Sequence, residues 1–240
     1  FALLWVLGML TQGDLQTLDL HQLSPYNNTL QTIAVGYVVA AYVLLIRSWA
    51  VKLAIPLLLA LGYGLVVHFG GDYTKAGNVT QPVELAILNA FLPADNLGTK
   101  HIVDWGYTWF LPSMMFPVIA LAGAFATLLL TAKDRNEWRK AGSVFAFGAA
   151  LLGAGLGLEA AGIQCVKHIF TVSFTFQAIG WSLLALAALY VLTDIWKFRR
   201  GTGILLLYGQ SALAAYMIEG LLRKSGTVAS ERLFLGVKQF

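Results

Sequence analysis

Six stretches of this chain run without a charged residue for close to the length that crosses a lipid bilayer. They are Leu30 to Ile46, Leu53 to Val67, Tyr107 to Ala132, Ala141 to Leu158, Ile169 to Thr193 and Gly201 to Ile218. Phe1 to Leu10 adds a shorter apolar piece. A hydrocarbon core of roughly 30 Å is crossed by about 20 mostly apolar residues in a helix. The pattern predicts an all-α protein, a polytopic transmembrane helical bundle of about seven spans.

Charge supports the same reading. Charged residues make up 12% of the 240 residues and hydrophobic ones 58%, with a mean hydropathy of +0.71. A soluble domain carries about 25% charged residues, and lipid removes the need for the missing half. The net charge of +4 does not form a basic face interleaved with aromatics, so no nucleic acid is expected as a partner. Cys165 is the one cysteine, which excludes an intrachain disulfide. No His-x-x-x-His or Glu-x-x-His spacing occurs, and no metal is expected.

The seven predicted spans are A (Phe1 to about Thr11), B (Thr29 to Ile46), C (Val51 to Phe69), D (Tyr107 to Thr131), E (Ala141 to Gly162), F (Ile169 to Ile195) and G (Gly201 to Leu222). The whole of 1–240 then forms a single transmembrane domain with one long loop at about 68–106. A chain that opens on half a span, with no cleavable leader visible, reads as part of a longer protein. The B–C, D–E and F–G loops hold nine Lys and Arg residues, against three in the A–B, C–D and E–F loops. Basic residues mark cytoplasmic loops, which puts the first set inside and the 68–106 loop outside. Asp14, Asp19, Asp72, Glu84, Asp95, Asp104 and all four histidines (His21, His68, His101, His168) fall on the predicted outer side. Titratable chemistry therefore concentrates on one face.

Within the long loop, Glu84 to Leu92 is apolar but too short to span, and reads as an interfacial or re-entrant helix. Asn27-Asn28-Thr29 and Asn78-Val79-Thr80 fit the N-glycosylation pattern, one short enough to arise by chance. In span E, Ala149, Gly153, Gly157 and Ala161 form a small-residue ladder suited to close helix approach. Glu159, Glu219 and Gln31 share a depth near the outer side. They read either as interhelical hydrogen-bonding groups or as the border of an outward polar cavity. His168 stands at the mouth of span F beside Lys167, either as an interfacial residue or as a general base.

Three segments then resemble one family. Leu30-Gln31-Thr32-Ile33-Ala34 is similar to the leucine-glutamine-arginine-leucine/isoleucine motif of the heparan-α-glucosaminide N-acetyltransferase family and its bacterial members. Lys167-His168-Ile169-Phe170-Thr171-Val172-Ser173-Phe174 resembles its lysine–aromatic–threonine–x–serine–aromatic segment. Tyr190 to Asp194, a basic loop and Tyr208 to Tyr216 resemble a further stretch. The resemblance runs from Leu30 to Leu222. It implies a membrane acyltransferase that uses cytoplasmic acetyl-CoA or another acyl-CoA as co-substrate and acylates a sugar amine or hydroxyl at the extracytoplasmic face. A bacterial inner membrane is the implied location, with the lipid bilayer and a sugar-type acceptor as partners and a homo-oligomer left open. Gln31, Lys167 and Ser173 match the family's positions, while Thr32 stands where the family carries arginine. The family's catalytic histidine precedes the matched region, so none is carried over. The expected site has His168 and Glu159 as catalytic candidates and Gln31, Lys167, Ser173 and Asp104 as substrate-binding residues. Two other readings remain, a carrier for a small polar solute and a non-catalytic protein of the same fold.

Overall fold

The computed structural model describes residues 1–12, 26–93, 96, 102–104, 106–204 and 206–218. His21, His101 and Glu219, named above, lie outside the described residues. So do Asp14, Asp19, Asp95 and the tail from Arg223.

Among the described residues the protein is all-α, with no strand. In chain order the helices are α1 (Ala2–Gln12), α2 (Thr29–Leu45), α3 (Trp49–Gly70), α4 (Thr80–Asn89), α5 (Met115–Thr131), α6 (Glu137–Ala160) and α7 (Val172–Tyr190). A 3-10 turn at Pro112–Met114 leads into α5, and a π-turn at Val191–Ile195 closes α7. Four of these helical stretches are long and apolar enough to cross a bilayer: Trp49–Gly70, Pro112–Thr131, Glu137–Ala160 and Val172–Ile195. The protein is an integral membrane protein. Seven spans were expected; α1, α2 and a helix at Thr202–Ile218 are apolar but shorter. The 17 residues of α2 rise about 26 Å, just under a hydrocarbon core.

Two expected boundaries shift for local reasons. Span D starts at Pro112 rather than Tyr107, because proline suits a first helical position and cannot extend a helix backwards. Span E starts four residues early, at Glu137, where the Asn136 side chain accepts from the Trp138 N–H and caps the helix.

Helix α5 is the hub, in contact with α2, α3, α6 and α7. The core joins Ala60, Tyr63 and Val67 of α3 to Met115, Val118 and Ala122 of α5 and to Ile179, Leu183 and Ala187 of α7. The most extensive helix pair is the α6–α7 hairpin. Its closeness rests on Gly148, Gly155 and Gly180. A Cβ on Gly180 would lie 2.7 Å from the Leu152 backbone nitrogen, and one on Gly148 3.1 Å from the Gly180 carbonyl oxygen. The ladder expected at Ala149, Gly153, Gly157 and Ala161 is instead exposed. With 3.6 residues per turn, a strict four-residue step drifts around the helix. The seven-residue step from Gly148 to Gly155 stays on the seam, as in a coiled coil.

The outer surface is apolar. Leu57, Leu58, Leu61 and Leu65 of α3, Phe145 of α6 and Trp181 of α7 are all exposed, as befits a surface solvated by acyl chains. Helices α2, α5 and α7 begin, and α1, α3 and α6 finish, at the end of the bundle that carries α4. Bonds between Asn28 and Thr11, Trp109 and Asn27, and Tyr63 and Ile169 tie this end together. The opposite end carries the basic connections.

Candidate functional site

The α4 end is built around a buried carboxyl. Helix α4 turns Thr80, Glu84 and Leu88 inward, a stripe at four-residue spacing, and Glu84 is fully buried. Its Oε2 accepts the backbone N–H of Trp109 and, at 3.0 Å, that of Phe110. Oε1 has no hydrogen-bond partner among the described residues. Burial pushes the Glu84 carboxyl up to about 7, against the two N–H bonds that pull it down, because low polarity disfavours the charged form. The hydroxyls of Tyr26 and Tyr63 lie within its electrostatic reach. Tyr26 is pushed up to about 12, chiefly by its own burial.

A line of buried side chains fixes α4 to the segment before α5. Thr108 donates to Thr80 at 2.8 Å, and Thr80 donates to Asn78 Oδ1 at 2.6 Å. The Asn78 amide donates to the carbonyls of Thr74 and Lys75. Asn78 is 3% exposed with both ends of its side chain bonded, so the second glycosylation pattern is overturned: this asparagine is a structural plug. In the first, Asn27 accepts the Trp109 indole N–H at 2.6 Å.

The same segment raises an aromatic wall. Tyr107 stacks on Trp109 with ring centroids 5.9 Å apart, and His168 meets Tyr107 edge-on at 4.2 Å. Beyond Trp109, the Asn27 N–H donates to Gln31 Oε1 at 2.9 Å. Gln31, fully buried, lies against Gly8 of α1, where a Cβ would come within 2.9 Å of Gln31 Cγ. His168 and Gln31, remote in sequence, thus stand at the two ends of one connected array.

Lys167 and His168 are exposed on the turn before α7, and that turn is tightly held. Thr171 Oγ1 accepts from Val166 N at 3.0 Å and caps Phe174 N. Ser173 Oγ donates to the Gln164 carbonyl at 2.9 Å, and the Tyr63 hydroxyl donates to the Ile169 carbonyl. Ser173, expected as a substrate contact, is fully buried and committed to this turn. Its hydroxyl holds the turn from which Lys167 and His168 project. Two expected neighbours sit elsewhere. Glu159, exposed on α6, accepts from Gln177 of α7 at 2.6 Å. Asp104, also exposed, offers its carbonyl to Lys75 at 2.5 Å. Among the described residues neither bonds to Gln31, Lys167 or His168, and no group of three His, Cys, Asp or Glu is placed to hold a metal.

Sequence reasoning put Glu84 on this side of the membrane but did not single out Glu84, Tyr107, Trp109 or Asn27 as site residues. For Glu84 a signal existed: it is the one acid in the apolar piece from Val83 to Leu92, and an isolated charge there implies a buried partner. For Asn27 and Trp109 no signal existed, since a hydrogen bond across 82 residues leaves no local pattern.

No protein-family model, no curated protein and no solved structure matches the chain.

Proposed function

We propose that this integral membrane protein is an acyltransferase that moves an acyl group, with acetyl as the first choice, from a CoA thioester to a sugar amine or hydroxyl. Its acceptor site is the α4 end, which on the distribution of basic loops is the extracytoplasmic face of a bacterial inner membrane. The observation that carries the reading is the wall itself. Two of the three segments that resemble the acetyltransferase family, one around Gln31 and one at Lys167-His168, meet through Trp109 and Tyr107.

The chemistry follows from residue types. Acyl-CoA supplies the activated acyl group. The His168 imidazole, exposed and oriented by Tyr107, takes the proton of the attacking amine or hydroxyl. Lys167 offers a positive charge to the oxygen that gains charge as the carbonyl becomes tetrahedral; as the new C–N or C–O bond forms, the thioester C–S bond breaks and the CoA thiolate leaves, taking the proton held by His168. Glu84 is a positioning residue: through the Trp109 and Phe110 N–H groups it sets the wall on which His168 rests.

The test is acetyl transfer from acetyl-CoA to glucosamine by the full-length protein in liposomes. His168→Ala is expected to lower turnover about 100-fold with an unchanged melting temperature, and Lys167→Ala to lower it less. Unchanged turnover in both variants overturns the assignment. Uptake of the sugar without acylation would favour a solute carrier, for which a buried titratable carboxyl such as Glu84 is a known proton-relay element.

A further inference from the structure

Helix α4 is held down unequally along its length. Its start is closely bonded: Asn78 Oδ1 accepts from the Thr80 hydroxyl and, at 3.0 Å, from the Gln81 N–H, and Thr108 donates to Thr80. Beyond Thr80 the fully buried side chains of α4 are Glu84 and Leu88. Val83, Leu85 and Ile87 are half-buried, Ala86 and Asn89 are exposed, and none of the long helices packs along α4. Phe91, just past the helix, is 82% exposed. The C-terminal half of α4 is therefore seated chiefly by one leucine and one carboxyl.

That carboxyl is a poor anchor once ionised. Among the described residues no lysine, arginine or histidine faces it. The titratable groups that do are Tyr63 of α3 and Tyr26 before α2. The segment before α5 brings the N–H groups of Trp109 and Phe110, and α4 itself adds no second titratable side chain. Lys75, exposed on the preceding turn, is committed to the Asp104 carbonyl. Both N–H bonds go to Oε2, and Oε1 receives none. The Tyr26 hydroxyl, buried beside Ser113, makes no well-formed hydrogen bond either. A buried carboxylate without a cation, and with one oxygen unmet, costs more than the burial of one leucine contributes. A neutral carboxyl avoids that cost.

We propose that α4 is a lid, hinged at Asn78 and Thr80 and latched by the protonated Glu84 carboxyl, and that loss of the proton frees its C-terminal half from Trp109 and Phe110. Opening exchanges a buried neutral acid for a hydrated carboxylate and a proton released to solvent. With α4 open the carboxyl returns to its ordinary 4.5, against about 7 when closed. Between those values opening releases a proton and becomes about tenfold more favourable per pH unit. Above about 7 both states have lost the proton and the gain stops. The latch requires only the buried carboxyl, so it stands or falls independently of the acyltransferase reading.

Amide hydrogen exchange of the full-length protein in detergent, corrected for the intrinsic pH dependence of exchange, reads this opening. Protection of the amides from Glu84 to Asn89 is expected to fall about 100-fold from pH 5 to pH 7 and to change little from pH 7 to pH 8. Helix α5 is expected to keep its protection throughout. In Glu84→Gln, which cannot ionise, α4 is expected to hold the same protection at all three pH values, and Glu84→Met serves if that variant does not fold. Protection of α4 that is flat with pH in the native chain, or a fall that persists in the neutral variant, would overturn the lid. So would an equal fall in α5, which is opening of the whole bundle.

Discussion

Glu84 shows how much one titratable group can set. Its folded value of about 7 lies above the ordinary 4.5, so between those values the native state keeps a proton that the unfolded chain has released. The contribution of Glu84 to stability therefore falls as pH rises from about 4.5 to about 7, by an amount on the order of 3 kcal/mol. Melting temperature in detergent, followed from pH 5 to pH 8, is expected to decline for the native chain and to decline less for Glu84→Gln, which keeps an acceptor oxygen and carries no charge. Parallel curves would mean that the Glu84 carboxyl reaches water and gains or loses its proton equally in the folded and unfolded chain. Asn78 offers a second check at this scale. Asn78→Ala strips two carbonyls, a hydroxyl and the Gln81 N–H of their partner, and unmade buried bonds cost about 1–3 kcal/mol. A drop of several degrees in melting temperature is the expected result.

Helix contacts decide the next scale. The α6–α7 seam passes through Gly148, Gly155 and Gly180, while Gly153 and Gly157 face outward with nothing within 4 Å of a Cβ. Gly180→Leu is expected to destabilise strongly, by more than about 2 kcal/mol, since the facing Leu152 backbone cannot retreat. Gly153→Leu is expected to be neutral or slightly stabilising, because leucine is the better helix former. Melting temperatures of the two variants separate these outcomes, and a reversed order would mean that the seam lies on the other face. The turn before α7 behaves as one unit at this scale. Thr171, Ser173 and the Tyr63 hydroxyl satisfy its backbone, and Lys167 and His168 project from it.

For the molecule as a whole, sidedness is the proposal most directly measured. Cys165 is exposed at the α4 end. A membrane-impermeant maleimide applied to intact cells is expected to label it, and to leave Asn136→Cys, in a chain with Cys165 replaced by serine, unlabelled until the membrane is opened. The slight desolvation of the thiol and, after it, Glu159 hold Cys165 above its ordinary value, so labelling belongs at about pH 8. The reverse pattern would invert the topology and remove the acceptor site from the outer face.

The all-α bundle was legible in the sequence because the need to cross lipid is a local property: length, apolarity and the absence of charge can be counted along the chain. A short helix in the long loop and the basic connections were legible for the same reason, although α4 begins at Thr80 rather than Glu84 and α7 at Val172 rather than Ile169. Sequence alone also put Lys167 and His168 at a helix mouth and left Gln31 as either a hydrogen-bonding group between helices or a cavity border; the resemblance added Gln31 and Ser173 as substrate-binding positions, and both side chains are fully buried in the fold. Only tertiary structure brought Glu84 under Trp109, set Tyr107 between His168 and Trp109, and chose Gly148 and Gly180 over Gly153 for the seam. The physical reason is range. Hydrophobic length acts within a segment, whereas buried hydrogen bonds, ring contacts and close glycine packing join residues tens of positions apart, and their partners exist only once the helices have met.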